Sequence, residues 1–541
     1  MTTINPIIKL PPELILRILN ELNIQSLVEL SKCSKLYNEF IKCHQDLILI
    51  SIKDKLGRSF TDALNQLDSI GDGYLNVQNW KDLCTYIYLH VLRYIYHMSI
   101  DNRTNFIEKN LKVDKPKVFE RFVDTGATLT WRFKPDFDQN FVTVTAHQGG
   151  VKVFDLNDST LLWQIPEDEV RPHAHLEYSN GHFCIDRFGN ALEVWRRIDK
   201  QNEYLPVDQQ VPYKRGEFTR IAILPHDRET RGFQLDYPHL SVVSSEGKGY
   251  LYDVSGVPNL LREVDIEPGA IGHLDQCSSA IVFSMGTSGY HFHSKSTGEL
   301  MGKFPPENLS EENYFYAHHP KLQTTSLSAL HNQHIQSIKL NKGILSENST
   351  NRYRQPLPDL VNDDWGAGMI DDHYFVGISR SGRLIICSDW QATLNDPSIS
   401  NKTISILESE TDDSRFDLGG WLSIKHNKVL FEVSDRIYIL HLPLRGEILN
   451  EKLSPLIQTA PSNLYGQLPV PISYMSIHSD SIMSTYAKLT FNQIRTGIAK
   501  HIRILSFVDN NNIKLDKDKR WIDPQVPPNE DAHQSQLFFL N

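Results

Sequence analysis

One unit recurs along this chain from about residue 128 onward: a strand, a tight polar or glycine-containing turn, and a second strand. FVTVTA-HQGG-VKVFDL at 141–156 is the first copy. HFCID-RFGN-ALEVWR follows at 182–196, LSVVSS-EGKG-YLYDV at 240–254 and AIVFSM-GTSG-YHFHS at 280–294. SLSAL-HNQH-IQSIKL at 326–340 is a weaker copy. YFVGIS-RSGR-LIICSD covers 374–389, and VLFEV-SD-RIYILHL covers 429–442. A possible eighth unit runs from SYMSIHSDSIMSTYA at 473–487 to HIRILSF at 501–507. The second strands recur at intervals of roughly 40 to 57 residues. Each hairpin is preceded by another apolar stretch, among them TLTWRF, HAHLEY, RIAIL, YFYAHH and WLSIKH. A unit of this size cannot bury both of its faces alone, so the units must stack and the ring must close. The expectation is an all-β propeller of seven or eight blades over 116–508, with a double β-sandwich array as the competing arrangement.

The first hundred residues follow a different period. Leu14, Ile15, Ile18, Leu19 and Leu22 form the stripe of a helix with a buried face, opened by Pro11-Pro12 and Glu13. Leu27, Val28 and Leu30 suggest a second short helix, with Ser26 as its cap. Leu36, Tyr37, Phe40 and Ile41 suggest a third. Three short helices within residues 1–50 make a very small core that wants a partner surface. Residues 51–115 read as a helical connector. Its stretch Trp80, Tyr86, Ile87, Leu89, Val91, Leu92, Tyr94, Ile95 and Tyr96 is too apolar for a solvated helix. A polar, proline-containing tail occupies 509–541 and carries Leu537-Phe538-Phe539-Leu540, apolar enough to dock back on the domain. The fold class is therefore α+β and multidomain: three helices, a helical connector, then the propeller.

Residues 10–47, LPPELILRILNELNIQSLVELSKCSKLYNEFIKCHQDL, resemble an F-box in order and spacing. The opening Leu-Pro, the Glu-Leu before an apolar helix, the Leu-x-x-Leu-Ser-x-Cys segment and the aromatic third helix are all present. The departures are Leu36-Tyr37 where the family often has tryptophan, and Leu47-Ile48 in place of an aromatic. The resemblance implies docking onto the Skp adaptor of SCF-type ubiquitin ligases. Carried over position by position, it implies contacts from Leu10, Pro11, Leu14, Ile15, Ile18, Leu22, Leu27, Val28 and Leu30. Packing of a private three-helix core is the competing role for the same residues. The later repeats resemble divergent WD-repeat propellers, although the Trp-Asp and Gly-His signatures are mostly missing. Together these imply a non-catalytic receptor in the cytoplasm or nucleus, with a protein target on the propeller. The alternative is an F-box protein that binds the adaptor without a cullin and sequesters a regulator such as a small GTPase.

The remaining features argue against other classes. Hydrophobic residues make up 40% of the chain and charged residues 22%, enough for a buried core and against wholesale disorder. The net charge of −11, with no basic block, disfavours nucleic acid. No run reaches the ~20 apolar residues of a membrane span. The opening MTTINPIIKLPPE shows no signal peptide. Six scattered cysteines without a C-x-x-C pair suit a reducing compartment and no zinc site. There is no phosphate-binding loop and no H-E-x-x-H, so neither catalytic residue, cofactor nor metal is expected. MGTSG at 285–289 falls in a hairpin turn, and Gly366-Ala367-Gly368 reads as a turn or strand entry. DSIGDG at 68–73 lacks the ligands of a calcium loop at its third and twelfth positions, Ile70 and Asn79. His173 with His175, and His291 with His293, are spaced to share a strand face, but no third ligand accompanies either pair. Arg196-Arg197 could grip an acidic target, against the plainer role of a solvated blade edge.

Overall fold

The computed structural model describes residues 119–506 apart from short internal stretches, the longest being 318–334, 344–359, 410–418 and 462–471, together with positions 15, 16, 18, 19, 30 and 40. The connector expected over 51–115 and the tail over 509–541 lie outside the described residues. So do most positions of the three expected N-terminal helices; the six described there are helical. No described helix is long and apolar enough to cross a membrane.

Seven sheets form among the described residues, and they are the blades of a closed ring. Blade 1 is a four-stranded antiparallel meander of Thr130–Asp136, Phe141–Ala146, Val151–Asp155 and Leu161–Ile165. Blades 2, 3 and 4 repeat it, beginning at Leu176–Ser179, Thr230–Asp236 and Leu274–Gln276. The core of blade 5 is Trp365–Ile370, Phe375–Ser379, Arg383–Cys387 and Ile404–Ser409, and blade 6 begins at Gly419–Lys425. In blade 7, Met475–Ile477, Ser481–Phe491 and Thr496–Ser506 are completed by Phe119–Val123, which pairs antiparallel with the third strand from Phe119↔Ser506 to Val123↔Ile502. The first described strand thus closes the last blade.

From blade 1 to blade 7 each first strand touches the next, and at the last seam the first strand of blade 1 touches the second and third strands of blade 7, so the first strands are the inner strands of the ring. The blade 7–blade 1 seam is closed by Phe133, which packs edge-on against Tyr474 at 5.1 Å and shares a buried cluster with Val123, Met483, Ile502 and Ile504. The arrangement displaces the double sandwich, which has no such cycle.

Turn chemistry explains the recurrence. In blades 1 to 5 the turn between the second and third strands holds a residue at positive φ: Gly149 and Gly150, Asn190, Gly247, Gly289 and Gly382. At Gly289 a Cβ would also lie 2.1 Å from the Phe304 carbonyl oxygen, so only glycine fits the MGTSG turn. The middle strands are buried on both faces, because each blade is sandwiched between two others. Alternating threonines in FVTVTA are accordingly internal, and Thr145 donates to the Ala174 carbonyl of blade 2 at 2.8 Å. Outer strands such as Leu161–Ile165 and Leu300–Phe304 are largely exposed.

Three expectations are corrected. The weak copy at 326–340 is not a blade. Its described part, Ile335–Ile338, adds a fifth strand to the outer edge of blade 6, pairing with Leu456–Pro461. Two residues later Leu340–Lys342 joins blade 5 through Tyr314–Ala317, which itself pairs parallel with Ile404–Ser409. Eight candidate units therefore make seven blades. RIAIL is the outer strand of blade 2, closing the blade before it, and Tyr314–Ala317 of YFYAHH is added to the outer side of blade 5 beside Ile404–Ser409, whereas TLTWRF, HAHLEY and WLSIKH are inner strands as expected. Gly368 belongs to the inner strand of blade 5, opposite Gly377, and both lie under the buried ring of Tyr290 from blade 4; a Cβ at either position would meet that ring at 2.6 and 2.4 Å. The glycines are there for close packing of two blades.

Candidate functional site

In the N-terminal segment Ile15 and Leu19, one helical turn apart, are buried. Ile18 presents 40% of its surface. Leu30 is half-buried in a helix, while Leu10, Pro11, Leu14, Leu22, Leu27 and Val28 lie outside the described residues. The helix is thus apolar on an inward face and at Ile18 on an outward one, as a docking helix requires.

Around the ring axis the inner strands bring together charged and aromatic side chains that hydrophobic patterning does not reveal. Lys134 of blade 1 reaches Glu177 of blade 2 at 2.6 Å, and His175 meets the same carboxylate at 2.9 Å. Arg132 lies 4.0 Å from Glu177 and stacks over Trp421 of blade 6 at 4.7 Å and Tyr474 of blade 7 at 5.5 Å. His175 in turn stacks on Phe233 of blade 3 at 4.2 Å. Gln276 of blade 4 donates to Gln234 and His239 carbonyls of blade 3. Asp275 beside it accepts from the Ile370 amide of blade 5 at 2.9 Å. The polar belt therefore touches all seven blades.

Its electrostatics follow from burial and pairing. Burial alone would raise the Glu177 pKa, but Lys134, His175 and Arg132 together outweigh it and hold the carboxyl at about 2. Burial, assisted by Glu177, pushes Asp275 up to about 7 against the two backbone amides it accepts from. The belt is a mixed-charge lining with most of its charges paired inside the ring.

The arginine pair sits elsewhere, at the end of the third strand of blade 2, and both side chains are buried. Arg196 donates to His182 at 2.8 Å, to Gln201 at 3.1 Å and to the Val254, Ser255 and Gly256 carbonyls. Its guanidinium stacks on Tyr204 at 4.4 Å. Arg197 pairs with Asp136 and Asp199, both at 2.6 Å. Neither is a solvated edge or an outward grip; both hold loops in place, because a buried guanidinium needs all its donors met. The histidine pairs also separate. His173 has φ 56 and, with His175, precedes the strand, so they share no strand face. His291 and His293 do share one, on Tyr290–Ser294, with both side chains buried. Among the described residues no group of three or more His, Cys, Asp or Glu side chains is placed to hold a metal ion. Cys184, Cys277 and Cys387 are buried free thiols.

A family model for the F-box domain matches residues 7–48. No curated protein sequence matches the chain. Solved structures to which it is similar include U3-55K, at 8% identity over 72% of this chain and 98% of that one with a TM-score of 0.40. They also include the RRP9 WD40 repeats, at 8% identity over 72% and 97% with a TM-score of 0.40. The computationally designed Ika8 protein matches at 12% identity over 71% and 98%, with a TM-score of 0.39. The chain thus carries an F-box domain ahead of a seven-bladed propeller.

Proposed function

We propose that the chain is the substrate-recognition subunit of an SCF-type ubiquitin ligase, in which the F-box binds the Skp adaptor and the propeller binds the target protein. The observation that carries this reading is the pairing of an F-box domain at 7–48 with a closed ring that offers two broad faces for a partner. On this reading the chain is a non-catalytic receptor of the cytoplasm or nucleus, and bond-making belongs to the ubiquitin-conjugating enzyme. Its parts are the F-box over 1–50, the connector over 51–115, the propeller over 116–508 and the tail over 509–541. Leu10, Pro11, Leu14, Ile15, Ile18, Leu22, Leu27, Val28 and Leu30 form the adaptor surface and its supporting core.

The test is affinity purification of the full chain beside Leu14→Glu plus Ile18→Glu, with mass spectrometry of the partners. Two buried charges at an apolar contact cost enough to lower adaptor recovery ~10-fold or more. Adaptor and cullin recovered with the unmodified chain alone support the ligase reading. Adaptor without cullin replaces it with the sequestering one, in which the propeller holds a regulator and target half-life does not shorten. Equal adaptor recovery with both chains sinks the F-box assignment of these residues.

A further inference from the structure

Two histidines are buried in the seam between blades 3 and 4 with ring nitrogens left over. His291 and His293 lie on the third strand of blade 4, Tyr290–Ser294, at 1% and 3% exposure. They stand opposite Phe283 and Ile281 on the second strand, and those two residues pack against Val243, Leu251 and Val264 of blade 3. The histidines therefore share the face turned to blade 3, while Tyr290 and Phe292 point the other way, into the cluster shared with blade 5. The His293 ring meets Phe283 edge-on at 5.5 Å. Its Nδ1 lies 3.1 Å from the Gly298 carbonyl, which can only accept, so Nδ1 carries the hydrogen and Nε2 a bare lone pair. That Nε2, like the Nε2 of His291, is buried and meets no hydrogen-bond partner among the described residues. Orphaned polar atoms this deep are rare in a folded chain and call for a reason.

The charges around the seam are already engaged. Glu263 and Asp265 of blade 3 both pair with Lys248, at 3.2 and 2.8 Å. Arg262 donates to the Thr297 carbonyl at 3.2 Å, which pins the turn bearing Gly298 to the outer strand of blade 3. Lys295, two residues beyond His293, donates to the Cys277 carbonyl at 2.9 Å. Glu267, on the chain that links the two blades, has its carboxylate 3.9 Å from His291 Nε2, beyond hydrogen-bond reach. It is held instead by Lys303, the cross-strand neighbour of His291 on the outer strand of blade 4. A proton on either ring thus makes a buried cation whose nearest carboxylate is taken, and protons on both put like charges on one strand face. Burial first, and then Lys303, hold the His291 ring down to about 4 against the pull of Glu267. Burial holds His293 below its ordinary value too.

We propose that His291 and His293 are a proton-operated latch: neutral, they close the seam between blades 3 and 4, and in acid that seam is where the ring opens. An opened seam hydrates both rings, which then take protons at the ordinary histidine value of about 6.5. Opening is therefore independent of pH above about 7 and grows as pH falls below about 6.5, by up to ~10-fold per pH unit for each histidine, until the closed form takes the protons as well.

Hydrogen exchange of the full chain, corrected for the intrinsic chemical rate at each pH, tests this. Between pH 7.5 and 5, exchange over 280–284 and 290–294 should quicken by ~20-fold or more relative to 375–379 in blade 5. His291→Gln with His293→Gln removes both titrations, and the seam then keeps a constant ratio to blade 5 across that range. A ring titration of the unmodified chain by NMR needs no variant: both histidines should titrate below the ordinary value. A pH-independent ratio in the unmodified chain overturns the proposal. So does a ratio that still changes with pH in the double variant, because other groups then drive the opening. Rings that titrate near the ordinary value while the seam stays protected overturn it as well, and that measurement decides the matter where the double variant does not fold.

Discussion

At the residue scale, Asp275 is a carboxyl whose titration the fold strongly disturbs. Its carboxyl sits near about 7, against an ordinary value of about 3.9, because the seam between blades 4 and 5 excludes water. Glu177, Lys134 and Lys295 are the charges that face it. The folded state therefore binds a proton that the unfolded state has released between these two values. Stability falls as pH rises through that window and stays lowered above it. Asp275→Asn keeps an acceptor for the Ile370 amide without the charge. The variant should match the parent near pH 4 and exceed it at pH 8 by ~2–4 kcal/mol, the linkage value for a shift of this size. Urea denaturation at both pH values checks this, and a variant less stable than its parent at pH 8 contradicts it. Glu177 has the opposite sign: its contribution is present above the unfolded value and disappears as pH falls toward about 2.

At the scale of elements, the clasp at 335–342 joins the outer edges of blades 5 and 6 with one short run of chain. Ser337 pairs with Ile457 at its centre. A proline there cannot donate to the ladder, so Ser337→Pro should free the edge of blade 6. Hydrogen exchange over 456–459 should quicken while 429–433 in the middle of the blade keeps its protection; equal quickening of both would mean that the clasp holds the whole blade. The same segment shows where sequence reading stops. IQSIKL has the strand pattern of a blade hairpin, and only the pairing partner reveals an edge strand. The middle hairpins were legible because turn glycines and apolar runs recur there. Inner strands were less evenly so: TLTWRF stood out as an apolar stretch, but LDQ, with its buried Asp275 and Gln276, carries no period-two hydrophobicity. The belt of Arg132, Lys134, Glu177 and Asp275 was illegible for the same reason, since its members lie more than 140 residues apart at the extremes. Arg196 and Arg197 were visible as a pair, but burial, which no dipeptide encodes, made them braces. The F-box positions were legible because a short motif with a fixed register carries them.

At the scale of the whole molecule, the ring depends on one strand contributed from its beginning. Val123 is fully buried among Phe133, Ile502 and Ile504, and five residue pairs tie Phe119–Val123 to blade 7. A propeller fragment starting at 116 should therefore melt several degrees above one starting at 125, a gap that scanning calorimetry reads directly; equal melting temperatures would show that the ring closes without that strand. The closing strand also has a timetable. Its partner is made about 380 residues later, so at ordinary ribosomal speed it waits roughly 20–80 s. During that interval the segment carrying the F-box is already outside the ribosome, free to meet its adaptor, while the receptor does not yet exist. A chain stalled in translation would thus expose an adaptor-binding end with no ring behind it, and the moment of ring closure is the moment at which the two ends of the propeller first become one object.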